Sequence, residues 1–255
     1  MTVENKDHTS PINGSTCAIC QQESELYQLA SFDQIEFRSC KNCESVTSTP
    51  IPTTHDITEA LKNSIYAKQP VFPHPRERKH FHKHLTAMKG MTSGNKFIDV
   101  LSRSGARVEL ARMSGFSNAC GLDLNKYCIE VGQKRFHKAR FIETTLEDFT
   151  KTEEKFDIIC CSHGLENTNN PDTYIKNIKS LMNKNSYLYL NLCDGNHFMI
   201  PQSFLNWKEV RYPERVHYIS RDGLETLLKR HQLKIIKRYF RFLPFQQVIV
   251  KQADA

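Results

Sequence analysis

The run Phe97-Ile98-Asp99-Val100-Leu101-Ser102-Arg103-Ser104-Gly105-Ala106 begins as a buried strand and ends as the start of a helix. A carboxylate, Asp99, closes the apolar part, and Gly105 opens the helical part. Many nucleotide-binding βα units begin this way, because a glycine-rich turn lets a ligand approach the backbone at a helix start. Two turn positions where glycine is common hold Leu101 and Arg103 instead. The stretch therefore reads as a ligand loop with altered chemistry.

Beyond it, short apolar runs alternate with helical patterns. Strands are expected at 96–101, 119–122, 140–142, 156–161 and 187–192, with helices at 105–114, 126–136 and 173–182 between them. A further helix is expected at 221–231, with Ser220 as its N-cap. Two strands, 234–240 and 245–250, then form a hairpin around Leu243-Pro244. This alternation predicts βαβ units and a mostly parallel α/β sheet with helices on both faces.

In open α/β sheets, ligands bind beyond the carboxyl ends of the strands. The polar residues there are Asp99, Asp123, Glu147 with Asp148, Ser162 with His163, and Asp194 with Asn196. Asp123 is suited to gripping two ribose hydroxyls, since a carboxylate accepts from both. Taken alone, it is equally readable as a helix cap.

Upstream, Cys17-Ala-Ile-Cys20 and Cys40-Lys-Asn-Cys43 form two CxxC pairs nineteen residues apart. Four thiolates at this spacing predict a closed, tetrahedral, structural Zn2+ site of the ribbon type. The alternating segments 25–30 and 34–39 predict a hairpin that carries the second pair. The other five of the nine cysteines sit mostly in apolar runs, as small core residues in a reducing cytoplasm. Residues 47–54 are a turn-rich connection. Residues 57–90 read as helical, broken between Pro70 and Pro75, with Ile57, Leu61, Ile65 and then Phe81, Leu85, Met88 at helical spacing. The expected division is a disordered tail at 1–15, a zinc ribbon at 16–50, a helical linker or lid at 51–92 and the α/β domain at 93–255.

The chain has 255 residues and a net charge of +7, which favours anionic ligands. Basic residues gather at 76–84 and at 229–241, the latter with six Lys/Arg and no acid. No secretory leader is expected, and no apolar run approaches the roughly 20 residues of a membrane helix. No membrane partner is therefore expected, and the cytoplasm is the expected compartment.

The ordered set of Cys17-x-x-Cys20, Cys40-x-x-Cys43, Asn63-Ser-Ile-Tyr66, Phe97-Ile-Asp-Val, Gly121-Leu-Asp123, Leu146-Glu147-Asp-Phe and Ser162-His163-Gly-Leu-Glu166-Asn-Thr-Asn-Asn-Pro171 resembles a known family. It is similar to class I S-adenosylmethionine-dependent methyltransferases, in particular a bacterial group with an N-terminal zinc ribbon. Arg215-Val-His217-Tyr-Ile-Ser220 before the last helix fits the same pattern. The resemblance implies a Rossmann-like seven-stranded sheet, mostly parallel with its last strand antiparallel, carrying the small ribbon. It implies S-adenosylmethionine as cofactor. Asp99, Arg103 and Gly105 would lie at its methionine end, and Asp123 with Leu124 at the ribose. Leu146 and Glu147 would flank the adenine. Ser162 would stand at the strand end, with His163 and Glu166 lining the cleft. His163 or His217 would accept a proton from the nucleophile. Either histidine is also readable as a structural hydrogen-bond partner. Members are often linked to sugars and surface polysaccharides, which implies a small anionic acceptor such as a nucleotide-linked sugar.

The chain departs from this family at two places. Its first loop keeps only the third of the usual glycines, so Arg103 either pairs with the cofactor carboxylate or fills its place. Asn167 stands where a second histidine is common and cannot act as a base. Three readings follow: an active methyltransferase, a methyltransferase-like binding module that has changed or lost cofactor use, and a zinc-ribbon nucleic-acid-binding protein or nucleic-acid methyltransferase, the last being least favoured.

Overall fold

The computed structural model describes residues 12–64, 75–240 and 242–253. Residues 1–11 of the expected tail, the helical positions Ile65 and Tyr66, and Arg241 lie outside the described residues. So does the side chain of Arg76.

The central sheet is built from β5 (Lys96–Asp99), β6 (Asn118–Asp123), β7 (Arg140–Glu143), β8 (Phe156–Ser162), β9 (Met182–Cys193), β11 (Leu233–Tyr239) and β12 (Phe245–Gln252). Its spatial order is β7-β6-β5-β8-β9-β12-β11. The first five strands pair in parallel, while β12 runs antiparallel to both β9 and β11. This is the seven-stranded, mostly parallel sheet expected. Its middle strand β8 reads Phe-Asp-Ile-Ile-Cys-Cys-Ser and is almost wholly buried, as a parallel strand covered on both faces must be.

The covering helices are α2 (Pro75–Lys89), α3 (Ala106–Met113), α4 (Lys126–Arg135), α6 (Pro171–Ser180) and α7 (Arg221–Arg230). Phe81, Leu85 and Met88 of α2 pack with Val108 and Ala111 of α3 against Phe97, Ile158 and Tyr189. On the other face, Ile175 and Ile178 of α6 and Leu224 and Leu227 of α7 meet Ile98, Ile159 and Leu190. Side-chain caps start several helices: Asn125 accepts from the Cys128 N–H, Asn170 from Thr173, and Ser220 from Gly223. The expected helix at 173–182 instead starts at Pro171, whose fixed φ suits the first turn, and ends at Ser180. Met182 therefore begins β9 rather than closing a helix.

The N-terminal region forms a second sheet from β1 (Ile12–Thr16), β2 (Glu23–Phe32), β3 (Ile35–Cys40) and β4 (Val46–Thr49). The β2–β3 hairpin is the one expected; β1, within the stretch expected as a tail, was not foreseen as a strand. A fifth strand, β10 (His217–Tyr218), comes from the far end of the chain and pairs with β4. Phe37, Phe204, Trp207 and Tyr218 pack as an aromatic wedge between ribbon and sheet. Ser45 Oγ accepts from the Ser220 N–H at 3.0 Å and ties the second cysteine knuckle to the start of α7. Helix α1 (Thr54–Asn63) follows the ribbon, with Thr53 and Asp56 forming a capping box.

Candidate functional site

The four ribbon cysteines are buried, and their sulfurs lie within 4.8 Å of one another. Cys17 and Cys43 Sγ are 3.7 Å apart, and Cys20 and Cys40 are 3.8 Å apart. A tetrahedron with Zn–S bonds of about 2.3 Å has edges of about 3.8 Å, so the cage fits that ion. The Ile19 N–H points at Cys17 Sγ. Burial pushes the Cys20 thiol up to about 11, while hydrogen bonding to Cys17 pulls Cys43 down to about 5. Several thiolates cannot share this space without a cation to neutralise them.

The second site lies at the carboxyl end of the parallel strands. Asp99 closes β5 and is fully buried; its Oδ2 accepts from Arg107 Nε at 2.8 Å. Arg107 also donates to the Leu101 carbonyl at 2.8 Å, which pins the loop from inside. Burial still pushes the Asp99 carboxyl up, against the pull of Arg107. Arg103 has a φ of +50°, the left-handed conformation that a glycine would adopt freely. Its N–H donates to Asp123 Oδ2 at 2.7 Å, and the Asn125 N–H donates to Oδ1 at 2.9 Å. The loop thus keeps a glycine-type backbone under an arginine, at a cost of about 1 kcal/mol. Gly105 caps α3 at a φ of +81°, and a Cβ there would meet the Phe141 ring at 2.3 Å.

Asp123 lines two adjoining chambers of one cleft. The larger encloses about 940 Å³, open in part to solvent, between α1 and the strand ends. Leu124, Leu146 and Glu147 line it with Asp123, opposite Ile57, Thr58 and Leu61 of α1. Leu146 and Glu147 open the short helix α5 (Leu146–Thr150), capped by Thr145. The smaller chamber, of about 500 Å³, is lined by Arg103, Arg211, Lys62, Asn125 and Asp123, among others. Asn167 and Leu101 face both. Of the residues that line this cleft, Asn167 has a buried side-chain oxygen, Oδ1, with no hydrogen-bond partner among the described residues. Buried polar atoms are rarely left so, and a polar ligand would satisfy it.

His163 follows β8 with a φ of +62° and stands next to Gly164, which lines the larger chamber. Its Nδ1 is 3.1 Å from Glu166 Oε1, and its Nε2 is 3.3 Å from Asn191 Nδ2. The carboxylate can only accept, so Nδ1 carries the proton and Nε2 is the basic nitrogen. Burial lowers the pKa of His163 despite Glu166. Glu166 is fully buried; burial pushes it up, but His163, Arg215 and the Cys193 N–H together bring it down to about 2. Ser162 Oγ accepts from Asn191 at 3.0 Å, and Phe245 packs edge-on to the His163 ring.

His217 is not brought into the cleft. It lies in β10, wholly buried, with Nδ1 3.1 Å from Thr47 Oγ1, and burial pulls it down to about 4. Its Nε2 is buried without a hydrogen-bond partner among the described residues, and the residue lines neither chamber. Asp194 is likewise occupied, its Oδ2 accepting from Arg221 at 2.9 Å. Arg107, Arg211, Arg215 and Asn191 were not foreseen as part of the site. A lone arginine carries no pattern in sequence, and only the fold sets Arg211 in the smaller chamber, Arg107 on Asp99, Arg215 on Glu166 and Asn191 on His163. His84 of α2 is buried, stacked on Tyr239, with Nδ1 3.2 Å from Tyr189 Oη.

The sequence model of the family described as "Methyltransferase domain" matches residues 72–238. The ubiquinone biosynthesis O-methyltransferase of Actinobacillus pleuropneumoniae serotype 7 (strain AP76) is 28% identical over 107 residues, which cover 38% of this chain and 45% of that protein. The chain thus spans about half the length of the curated relatives it matches. Among solved structures, the 1,6-didemethyltoxoflavin-N1-methyltransferase of Burkholderia thailandensis, with bound substrate and S-adenosylhomocysteine, superposes with a TM-score of 0.59 at 13% identity, covering 88% of this chain and 97% of that one. The magnesium protoporphyrin IX methyltransferase of Synechocystis PCC 6803, with bound SAM, gives 0.56 at 12% identity, covering 80% and 99%. At such identities these structures speak to the fold alone.

Proposed function

Because this chain belongs to the methyltransferase-domain family, we propose that it binds S-adenosylmethionine in the cleft at Asp123 and transfers its methyl group to a small anionic acceptor. The carrying observation is a cleft at the strand ends whose two chambers are both lined by the Asp123 carboxylate and by Asn167, with the buried Asn167 Oδ1 left without a partner among the described residues. In this reading the ribbon of residues 16–50 is structural, α1 of the expected lid region covers the cleft, and residues 93–255 carry the site.

Bound S-adenosylmethionine supplies a methyl group already activated on a sulfonium. The chain's own residues have the remaining work. Asp99 Oδ1 and Ser102 Oγ would hold the amino-acid end of the cofactor, and Asp123 the ribose hydroxyls, through lone pairs its two backbone donors leave open. Leu124, Leu146 and Glu147 would bound the adenine. Ile57 and Leu61 of α1 exclude water from above. His163 Nε2, whose charged form burial disfavours, would give up its contact with Asn191 Nδ2 to take the proton of an O–H or N–H acceptor. Glu166 keeps the ring in that tautomer, and Arg215 keeps Glu166 ionised.

The anionic nature of the acceptor rests on the smaller chamber. Burial, together with Arg107 and Arg211, disfavours the charge of Arg103, and an anion beside it would reverse that penalty. A phosphate or carboxylate on the acceptor, such as that of a nucleotide-linked sugar, suits this chamber; so does the cofactor's own carboxylate. The ribbon is proposed to hold one Zn2+ on Cys17, Cys20, Cys40 and Cys43. Metal analysis checks this, and full metal retention by Cys40→Ser refutes it.

A second reading, a binding module that has given up the cofactor, is favoured by one observation. Arg107 takes both Asp99 Oδ2 and the Leu101 carbonyl, so the loop is already closed on itself. Calorimetry with S-adenosylhomocysteine separates the two. The enzyme reading expects binding that Asp123→Ala weakens about 10- to 100-fold, the loss of a charge-assisted pair of hydrogen bonds. Absence of binding at millimolar ligand leaves only the second.

A further inference from the structure

Three polar side chains stand in a row across neighbouring strands of the central sheet. Ser162 of β8 pairs with Asn191 of β9, and Asn191 pairs with Gln247 of β12, so their side chains share one face. Ser162 and Gln247 are buried. Gln247 Nε2 donates to Asn191 Oδ1 at 3.1 Å. Asn191 Nδ2 donates to Ser162 Oγ at 3.0 Å and faces His163 Nε2 at 3.3 Å. Gln247 Oε1 is buried with no hydrogen-bond partner among the described residues. A buried polar row carries a desolvation cost that an apolar row avoids, and here one acceptor is left over.

The row ends on His163, which several elements face. Glu166, three residues on, lies 3.1 Å from Nδ1. Arg215, from the segment before β10, brings Nη2 to 3.5 Å of the same nitrogen, and Glu209 holds Arg215 in turn. Arg103, in the loop after β5, adds a further positive charge that disfavours the charged ring. Strand β9 contributes Asn191 and the Cys193 thiol, and β12 the Phe245 ring. Glu166 serves Nδ1 in either charge state. At Nε2 a donor, Asn191 Nδ2, faces the ring, which suits the neutral form and opposes an Nε2–H.

We propose that Asn191 and Gln247 form an invertible amide pair that serves both protonation states of His163. A carboxamide turned over exchanges an oxygen for a nitrogen of nearly the same size. With both amides turned, Asn191 Oδ1 faces the ring and Ser162, and its two lone pairs take the Nε2–H and the Oγ–H. Asn191 Nδ2 then donates to Gln247 Oε1, the atom now left over. The contacts of Asn191 with Gln247, Ser162 and His163 are all kept, and the one to the ring becomes charge-assisted. The inference rests on His163 as the base of the proposed reaction. There the proton passes from the acceptor's O–H or N–H to Nε2, and the electron pair freed on the acceptor takes the methyl group. The inverted pair holds the imidazolium until the ring, 20% exposed, returns its proton to solvent. Asn191 and Gln247 line neither chamber, so they act through His163 as positioning residues.

The test is magnetic resonance of the full chain without added ligand, titrated downward from about pH 8 through the histidine range. The neutral ring is expected to carry its proton on Nδ1. As the ring protonates, the Overhauser contacts of the Asn191 amide protons should move from the His163 ring to the Gln247 side chain over the same pH range. Contacts that stay with the protonated ring, or a ring that stays neutral until the chain unfolds in acid, overturn the proposal. Asn191→Leu, similar in volume and uncharged, gives an independent sign. A fixed donor would stabilise only the neutral ring, and its loss would raise the pH of ring protonation. An invertible pair bonds the imidazolium more strongly, so its loss should lower that pH by about one unit. A rise or no change overturns the pair; a melting curve shows that the variant folds, and the wild-type contacts decide alone if it does not. Inversion in a chain that fails to bind S-adenosylhomocysteine would remove the proposed reaction and leave the pair standing, and fixed amides in a chain that binds it would do the reverse.

Discussion

Arg103 sits in a conformation that glycine would adopt freely, and its backbone N–H holds Asp123. Replacing it with glycine removes about 1 kcal/mol of left-handed strain and adds a similar entropy to the unfolded chain. Stability of Arg103→Gly should therefore stay within about 1 kcal/mol of wild type. Its affinity for S-adenosylhomocysteine or for an anionic acceptor should nonetheless fall about tenfold, since a buried charge-assisted contact goes. Calorimetry beside a melting curve reads both, and unchanged affinity would remove Arg103 from the site. His217 makes a separate prediction. Its folded pKa of about 4 lies below the unfolded value of about 6.5. The unfolded chain therefore binds the proton first, and stability present above pH 6.5 is lost as pH falls toward 4. The loss is on the order of 3 kcal/mol. In His217→Gln this limb of the stability–pH curve should flatten, and an unaltered limb would assign it elsewhere. Asp99 and Asp123 could be picked out from sequence because strand ends advertise their polar residues. The partners of Asp99 could not, since Arg107 reaches it only through a turn whose shape no local pattern predicts.

Among the elements, long apolar strands and capped helices were legible because burial and capping both act locally. The sheet strands 156–162 and 118–123 lie within a residue or two of expectation, and Ser220 caps α7 as foreseen. Strand β10 was not legible: two residues, His217 and Tyr218, have no periodicity to show. Their conformation is set by β4, which is far away in sequence. The contact of α7 with the ribbon is similarly non-local. A Cβ on Gly223 would meet Ser45 Oγ at 2.1 Å, so helix and knuckle approach only because this residue is glycine. Gly223→Ala should cost about 1–3 kcal/mol from overpacking, despite the better helix propensity of alanine. Thermal unfolding should show a drop of several degrees, and a rise in melting temperature would mean the contact is loose.

At the scale of the molecule, the C-terminal half of the chain lends strand β10 to the ribbon sheet, and an aromatic wedge packs beside it. Removal of the proposed Zn2+ should therefore loosen more than the knuckles. Amide exchange after chelation should speed up in β4 and β10, and the buried β5 and β8 amides should keep their protection. Uniform acceleration throughout would show instead that the chain unfolds as one unit. The basic run at 229–241 was visible in the sequence, but that Arg238 pairs with Glu225 of α7 needed the fold. All four thiols lie within the first 43 residues, whereas the last strand of their sheet arrives 170 residues after Thr47. On the ribosome the four thiols emerge early, ready for the proposed Zn2+, yet the edge of their sheet stays open until residue 218 emerges. The segment that closes it also sends two N–H donors, from Val216 and His217, to the Glu166 carbonyl. A chain starved of zinc during synthesis would reach that point with no sheet to join, and the error would be inherited by the carboxylate behind His163.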